Sequence, residues 1–208
     1  MIPITTVQGA LGAMLVIVSG PSGVGKDTVI ESLRTMTAEP ERHFVVTCTT
    51  RPRRSYEVDG VHYHFLDAPT FEQRRLAGGF LESNNVHGHW YGTPRNEVRE
   101  ALVAGHDVIL KIDVQGAAVV KQKVPDALLV FLVPPSLEDL FSRLRNRATE
   151  TADELDIRQR NAAIELARAE DYDYVVLNET DQVERTAERI DDIVMAEKAA
   201  HPDRRTRV

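Results

Sequence analysis

Residues Met14–Leu33 read MLVIVSGPSGVGKDTVIESL. The first six form a short apolar run that breaks into glycines, as a parallel strand buried on both faces does. Val29, Ile30, Leu33 and Met36 then recur at helical spacing, which predicts an amphipathic helix. Between strand and helix lies Gly20-Pro21-Ser22-Gly23-Val24-Gly25-Lys26, a match to G-x-x-x-x-G-K in the strand–loop–helix setting that a phosphate-binding loop requires. Glycines let backbone N–H groups converge on phosphate oxygens, the helix N-terminus adds positive potential, and Lys26 supplies a point charge. Asp27 departs from the motif, which places Ser or Thr there to ligate Mg2+. A carboxylate also binds Mg2+ but, unpaired, repels the nucleotide. Thr28 offers a hydroxyl one residue later, about 100° further round the helix, so Asp27 or Thr28 is the expected Mg2+ ligand. The loop specifies a nucleotide and not a reaction.

Outward from this segment, residues 43–50 (HFVVTCTT), 107–113 (DVILKID), 127–133 (ALLVFLV) and 172–178 (YDYVVLN) read as further strands. Helices are expected over 68–80, ended by Gly78-Gly79, and over 96–105, closing on Gly105. Another follows Ser136 as N-cap with Asp139 assisting, a polar one covers 151–170, and the last covers 182–198. Its Val183, Ala187, Ile190 and Val194 align on one face. From 51 to 92 the pattern shifts to short polar and aromatic pieces with turns such as Asp59-Gly60, the signature of a small inserted sheet. Strands alternating with helices give an α/β fold, a mostly parallel sheet flanked by helices. Residues 1–13 are expected as a loose extension and the 199–208 tail as frayed.

The chain has 208 residues, enough for one well-packed domain with inserted subdomains. No apolar run approaches the roughly 20 residues that span a bilayer, and the N-terminus lacks a secretory pattern, so no membrane partner and a cytoplasmic location are expected. A formal charge of −7 disfavours nucleic acid polymers. The single Cys48 excludes an intramolecular disulfide and reads as a small core residue. His62 with His64, and His87 with His89, share i, i+2 spacing, but no further ligand type accompanies them, and they read as surface or cleft histidines. Nothing in the sequence fixes an oligomeric state.

Three constellations carry charge. Arg51, Arg53 and Arg54 stand close to Glu57 and Tyr63, and guanidinium groups donate in parallel to a phosphate dianion. Glu82, Tyr91 and Thr93 form a second set, with Asp113 at a strand's C-terminal end, where ligands of open α/β sheets sit. Arg143, Arg147 and Arg158 lie on the third, polar segment, where a flap of arginines can close on transferring phosphates.

The order of GPSGVGK, TTRPRR, EVDGVHYHF, FLE, HWYGT, IDVQGA, PPS, RNRATET and YDYVVLN resembles a guanylate kinase from about Met14 to Met195. The resemblance implies a P-loop kinase core (14–46, 94–142, 161–198), a GMP-binding insert (47–93) and a lid (143–160). It implies Mg2+-dependent transfer of the ATP γ-phosphoryl group to GMP or dGMP, within purine nucleotide metabolism. It further implies that Arg51, Arg54, Tyr63 and Tyr91 hold the GMP phosphate, and that Thr47, Glu82, Thr93 and Asp113 face guanine. Residues 20–28 and Asn178 would contact ATP, and Lys26, Arg51, Arg143, Arg147 and Arg158 would serve the transfer. A carboxylate at Glu82 accepts from guanine N1–H and the 2-amino group, which adenine cannot match.

Two positions break the related pattern near the phosphates: Asp27, and Lys111 in place of an acidic residue. They are expected either to compensate, by ion pairing or by Asp27 taking the metal-facing role, or to be unrelated, with Lys111 in solvent. Ala148, where the family commonly has Gly, would stiffen the lid hinge. The alternatives are a same-fold kinase of ribose bisphosphate, whose loop can carry Gly-Lys-Asp, and a non-catalytic guanylate-kinase-like binding module. Glu82, Thr93 and Asp113 speak against the first, and the retained Lys26, Arg147 and Arg158 against the second.

Overall fold

The computed structural model describes residues 12–36, 42–86, 88–145, 152–204 and 206–208, without the side chains of 152–156 and 158. β1 (Leu15–Ser19) is the centre of a five-stranded parallel sheet ordered β2-β7-β1-β8-β9. Its other members are β2 (Arg42–Phe44), β7 (Asp107–Lys111), β8 (Leu128–Val133) and β9 (Tyr174–Leu177). Side chains alternate across a strand, and both faces of β1 are apolar. Val16 and Val18 enter a layer shared with α1 (Lys26–Thr35), α5 (Leu137–Arg145) and α7 (Val183–Ala200). Leu15 and Ile17 enter the opposite layer with α3 (Arg95–Ala104) and α4 (Val114–Lys123). Each such aliphatic chain contributes roughly 1.5–3 kcal/mol on burial, so this run is stable only between helix layers.

From β1 the chain builds the β2–β7 side, then passes to β8 and β9 on the other. The order therefore reverses at β1 and opens a crevice beyond its C-terminal end, the usual ligand position in open α/β sheets. The insert is a four-stranded sheet, β4-β3-β6-β5, made of β3 (Cys48–Thr49), β4 (His64–Phe65), β5 (Phe80–Val86) and β6 (His89–Pro94). α2 (Ala68–Leu76) packs on it through Phe71, whose ring stacks on Phe80 at 4.5 Å. α6 (Ala152–Leu166) precedes a 3-10 turn at Ala167–Asp171 and β9. Among the described residues no helix is long and apolar enough to cross a membrane.

Four local expectations need correction. Residues 43–50 are two strands, not one: Val45 N–H still donates to Ile109 O, but Val46 N–H turns to Glu97 Oε1, and Cys48 pairs with Gly92 in the small sheet. Met36 is the C-cap of α1 and 37% exposed, one residue too late for the buried face. Ala13 is buried and belongs to the core layer, not to the loose extension expected over 1–13, whose residues 1–11 lie outside the described residues. The tail is docked, not frayed. Leu15 N–H donates to Thr206 Oγ1 at 3.4 Å, Val208 packs beside the Leu15 layer, and Arg204 pairs with Glu197 at 2.9 Å. Buried Asp107 anchors this end, accepting from Met14 N–H and from Lys198 Nζ at 3.0 and 2.8 Å. The caps are as expected: Asp139 N–H donates to Ser136 Oγ, and Gly105 adopts φ +92 after α3.

Candidate active site

The phosphate loop closes the C-terminal end of β1. Gly25 has φ +101, and a Cβ there would meet Asn178 Nδ2 at 2.6 Å, so only glycine fits on both counts. Asn178 is buried, donates to Val24 O at 2.7 Å, and accepts from Thr186 Oγ1 at 3.0 Å. Arg143, in the last turn of α5, donates to Val24 O and Thr180 Oγ1 at 3.1 and 3.0 Å. Both residues hold the loop's shape from behind. Lys26 Nζ donates to Gly20 O and Pro21 O at 2.6 and 3.0 Å, folding over the loop. Burial lowers its pKa, against the opposing pull of Glu165 and Asp27. Glu165 of α6 accepts from Ser22 N–H at 3.0 Å, so a carboxylate occupies a donor that the loop can offer to an anion.

Asp27 and Thr28 part company here. Asp27 lines the cleft, whereas Thr28 is exposed on α1 and does not. A carboxylate such as that of Asp27 is a hard oxygen donor of the kind Mg2+ accepts, so the residues present would fit a metal delivered with a nucleotide. Its carboxylate accepts from Lys111 Nζ, which is the ion pair of the compensating alternative and not a lysine in solvent. Burial would lower the Lys111 pKa, but Tyr63 and Asp27 more than offset it and hold it above the ordinary value.

Across the cleft, Glu57 organises the arginine loop. It is buried, accepting from Arg51 Nη2 at 2.6 Å and from Arg54 N–H at 2.7 Å. Burial alone would raise its pKa, and these bonds bring it below the usual carboxylate value. The Arg51 guanidinium lies 5.7 Å from the Tyr63 ring centroid, and the Tyr63 and Tyr91 rings meet edge-on at 5.9 Å. Deeper in, Glu82 is 3% exposed between the two sheets. Thr93 Oγ1 donates to its Oε1 at 2.6 Å and Asn84 Nδ2 to its Oε2 at 3.0 Å. Burial pushes the Glu82 carboxyl up to about 7, only partly relieved by Thr93 and aggravated by Asp113. Asp113 caps α4, its Oδ1 accepting from Gln115 and Gly116 N–H at 2.8 and 3.0 Å.

One cleft thus gathers Gly20, Ser22, Gly23, Gly25, Lys26, Asp27, Thr47, Arg51, Arg54, Tyr63, Glu82, Tyr91 and Asp113. Thr93, Asn178 and Arg143 stand behind it, bonded to Glu82 and to Val24 instead of lining the opening. Arg147, Ala148, His87 and the Arg158 side chain lie outside the described residues. Sequence reasoning passed over Glu165 and Asn84, and took Glu57 only as a neighbour of the arginines. Each is an ordinary polar residue whose partner lies elsewhere in the chain or at a spacing common on surfaces. The Cys48 thiol is pushed up to about 11, chiefly by burial, as befits a core residue.

A family model described as guanylate kinase matches residues 12–197. A guanylate kinase of Chelativorans sp. (strain BNC1) is 44% identical over 93% of this chain and 87% of its own. One from Symbiobacterium thermophilum is 45% identical over 89% of this chain and 86% of its own. Among solved structures, the crystal structure of guanylate kinase from Anaplasma phagocytophilum superposes with a TM-score of 0.71 at 30% identity, covering 93% of this chain and 89% of that one.

Proposed function

The chain belongs to the guanylate kinase family, and on that premise we propose that it transfers the γ-phosphoryl group of ATP to GMP or dGMP, giving ADP and GDP. The observation that carries this reading is Glu82. A buried carboxylate, pinned by Thr93 and Asn84 at the end of the cleft, matches the N1–H and 2-amino donors of guanine and no edge of adenine. Thr47 and Asp113 complete the base-facing wall. Arg51, Arg54, Tyr63 and Tyr91 take the acceptor phosphate, with Glu57 holding the guanidinium groups in place. A ribose bisphosphate acceptor has no use for Glu82, although Asp27 suits its kinases.

Residues 20–28 hold the donor, with Asn178 and Arg143 fixing the loop from behind. An acceptor phosphate oxygen attacks the γ-phosphorus, the bond to the β,γ-bridging oxygen breaks, and ADP leaves with the bond electrons. No protein nucleophile is required, because positioning and charge neutralisation carry the reaction. Lys26 leaves the loop carbonyls for the transferring phosphates, and Ser22 N–H exchanges Glu165 for a phosphate oxygen. Asp27 is the residue that would hold Mg2+, which supplies charge neutralisation at the β- and γ-phosphates when bound. Arg147 and Arg158 are assigned to the lid that covers them. Domain roles are proposed as core 14–46, 94–142 and 161–198, acceptor insert 47–93 and lid 143–160, with residues 143–145 at the lid's start still part of core-packed α5.

The test is ADP release from Mg·ATP with GMP, AMP and ribose bisphosphate as separate acceptors over a range of Mg2+. GMP alone should support turnover. Absence of GMP turnover by the folded protein at every Mg2+ concentration, or a preference for ribose bisphosphate, would overturn the assignment.

A further inference from the structure

Lys111 takes no part in the phosphoryl transfer proposed above for the other cleft residues, yet its ammonium lies at the junction of the two substrate sides. It ends β7, in register with Val18 of β1 two residues before the phosphate loop. Its side chain is 17% exposed and lines the same cleft. Nζ sits 4.9 Å from the Tyr63 ring centroid, the ring that Arg51 approaches from the insert at 5.7 Å. Its ion-pair partner Asp27 is 59% exposed on the first turn of α1. A nearly enclosed cation is therefore held by a counter-ion on the open side. A phosphate dianion at Tyr63 competes with that carboxylate on favourable terms, since the ammonium donates to either and the phosphate carries more charge.

We propose that Lys111 is a phosphate-binding residue of the acceptor side, and that Asp27 is its resting counter-ion, which the acceptor phosphate displaces. This rests on the guanylate kinase reading. The exchange joins the main sheet to the insert at the phosphate, and it returns Asp27 to the donor side as the nucleotides arrive. A salt bridge that merely fastens α1 to β7 has a different signature: removing either partner then changes stability in the same direction and leaves phosphate affinity alone.

The experiment is calorimetric titration with GMP and with guanosine, without ATP or Mg2+, of the wild type, Lys111→Met, Lys111→Arg and Asp27→Asn. Loss of one charge-assisted hydrogen bond predicts that Lys111→Met weakens GMP about tenfold or more and leaves guanosine binding unchanged, which also reports an intact fold. Lys111→Arg should keep most of the GMP affinity. Asp27→Asn should tighten GMP a few-fold, the opposite sign, because a competitor is removed. Equal GMP affinity in wild type and Lys111→Met, or parallel losses for GMP and guanosine, would overturn the assignment of Lys111. A wild type that does not distinguish GMP from guanosine would overturn the acceptor reading itself, so the two failures show in different proteins.

Discussion

On the phosphate-loop side of the cleft, the proposed donor side, the lining groups are mostly backbone, presented by a loop whose glycines have no substitute. On the acceptor side they are side chains, brought from residues 47 to 113 and held by one another. Gly25 is fixed by its φ of +101 and by Asn178 behind it, whereas Glu82 is fixed by Thr93 and Asn84 and carries a penalty for its burial. The donor side stores its shape in the chain path, and the acceptor side in hydrogen bonds around a reluctant charge. Substitutions on the two sides should therefore fail differently.

The largest effect is expected at Lys26. Lys26→Met removes the loop's point charge from the transferring phosphates and should lower kcat about a thousandfold, with GMP affinity unchanged by titration. Glu82→Gln should come next, lowering kcat/KM for GMP roughly a hundredfold or more, with ATP affinity intact. A Lys26 variant that loses GMP binding, or a Glu82 variant that loses ATP binding, would break the division between the two sides.

Glu82 also gives the acceptor side a pH dependence of its own near neutrality. With a carboxyl near pH 7 in place of the usual 4.5, the free protein is increasingly protonated there as the pH falls. A protonated Glu82 cannot accept both guanine donors, so KM for GMP should rise toward about tenfold per pH unit below 7. Stability runs the other way. The raised value means that the folded state binds the proton more tightly, so this contribution is fully present below about 4.5 and is lost as pH rises through 7. Glu82→Gln, nearly inactive, should then be the more stable protein at pH 8, by up to about 3 kcal/mol, read as a higher melting temperature. Equal melting temperatures at pH 8 would mean that Glu82 bears no such penalty.

The same contrast explains what could be read in the sequence. The donor loop was legible because its chemistry needs contiguous residues in one order, and the central strand because both faces of Leu15–Ser19 are buried. Arg51, Tyr63, Tyr91 and Glu82 were legible only as residue types in the order of a known family. Their support was not. Glu57 reads as one charge among arginines until its burial is seen, and Glu165 lies 143 residues from the Ser22 N–H it meets. The break of 43–50 into two strands was hidden for the same reason, since Val46 turns away toward a side chain on α3. Thr206, read as part of a frayed end, docks on a strand 191 residues earlier, a contact that no local pattern encodes.

The smallest effect sharpens the comparison most, because it joins the acceptor pocket to the core. Gly116 sits in the first turn of α4, a core helix, and a Cβ there would lie 3.0 Å from Glu82 Oε2 and 3.3 Å from Asn84 Nδ2. Alanine suits a helix better than glycine by up to about 1 kcal/mol, so Gly116→Ala should not weaken the fold. The carboxylate, already bonded at both oxygens, has to shift by a few tenths of an ångström from the place proposed to face guanine. KM for GMP should rise about three- to tenfold, while KM for ATP stays as it was. If GMP binding is untouched, Glu82 has room that its hydrogen bonds deny, and the acceptor side is softer than its geometry implies. If ATP binding weakens as well, the helix has carried the strain to the phosphate loop, and the two sides share one rigid frame.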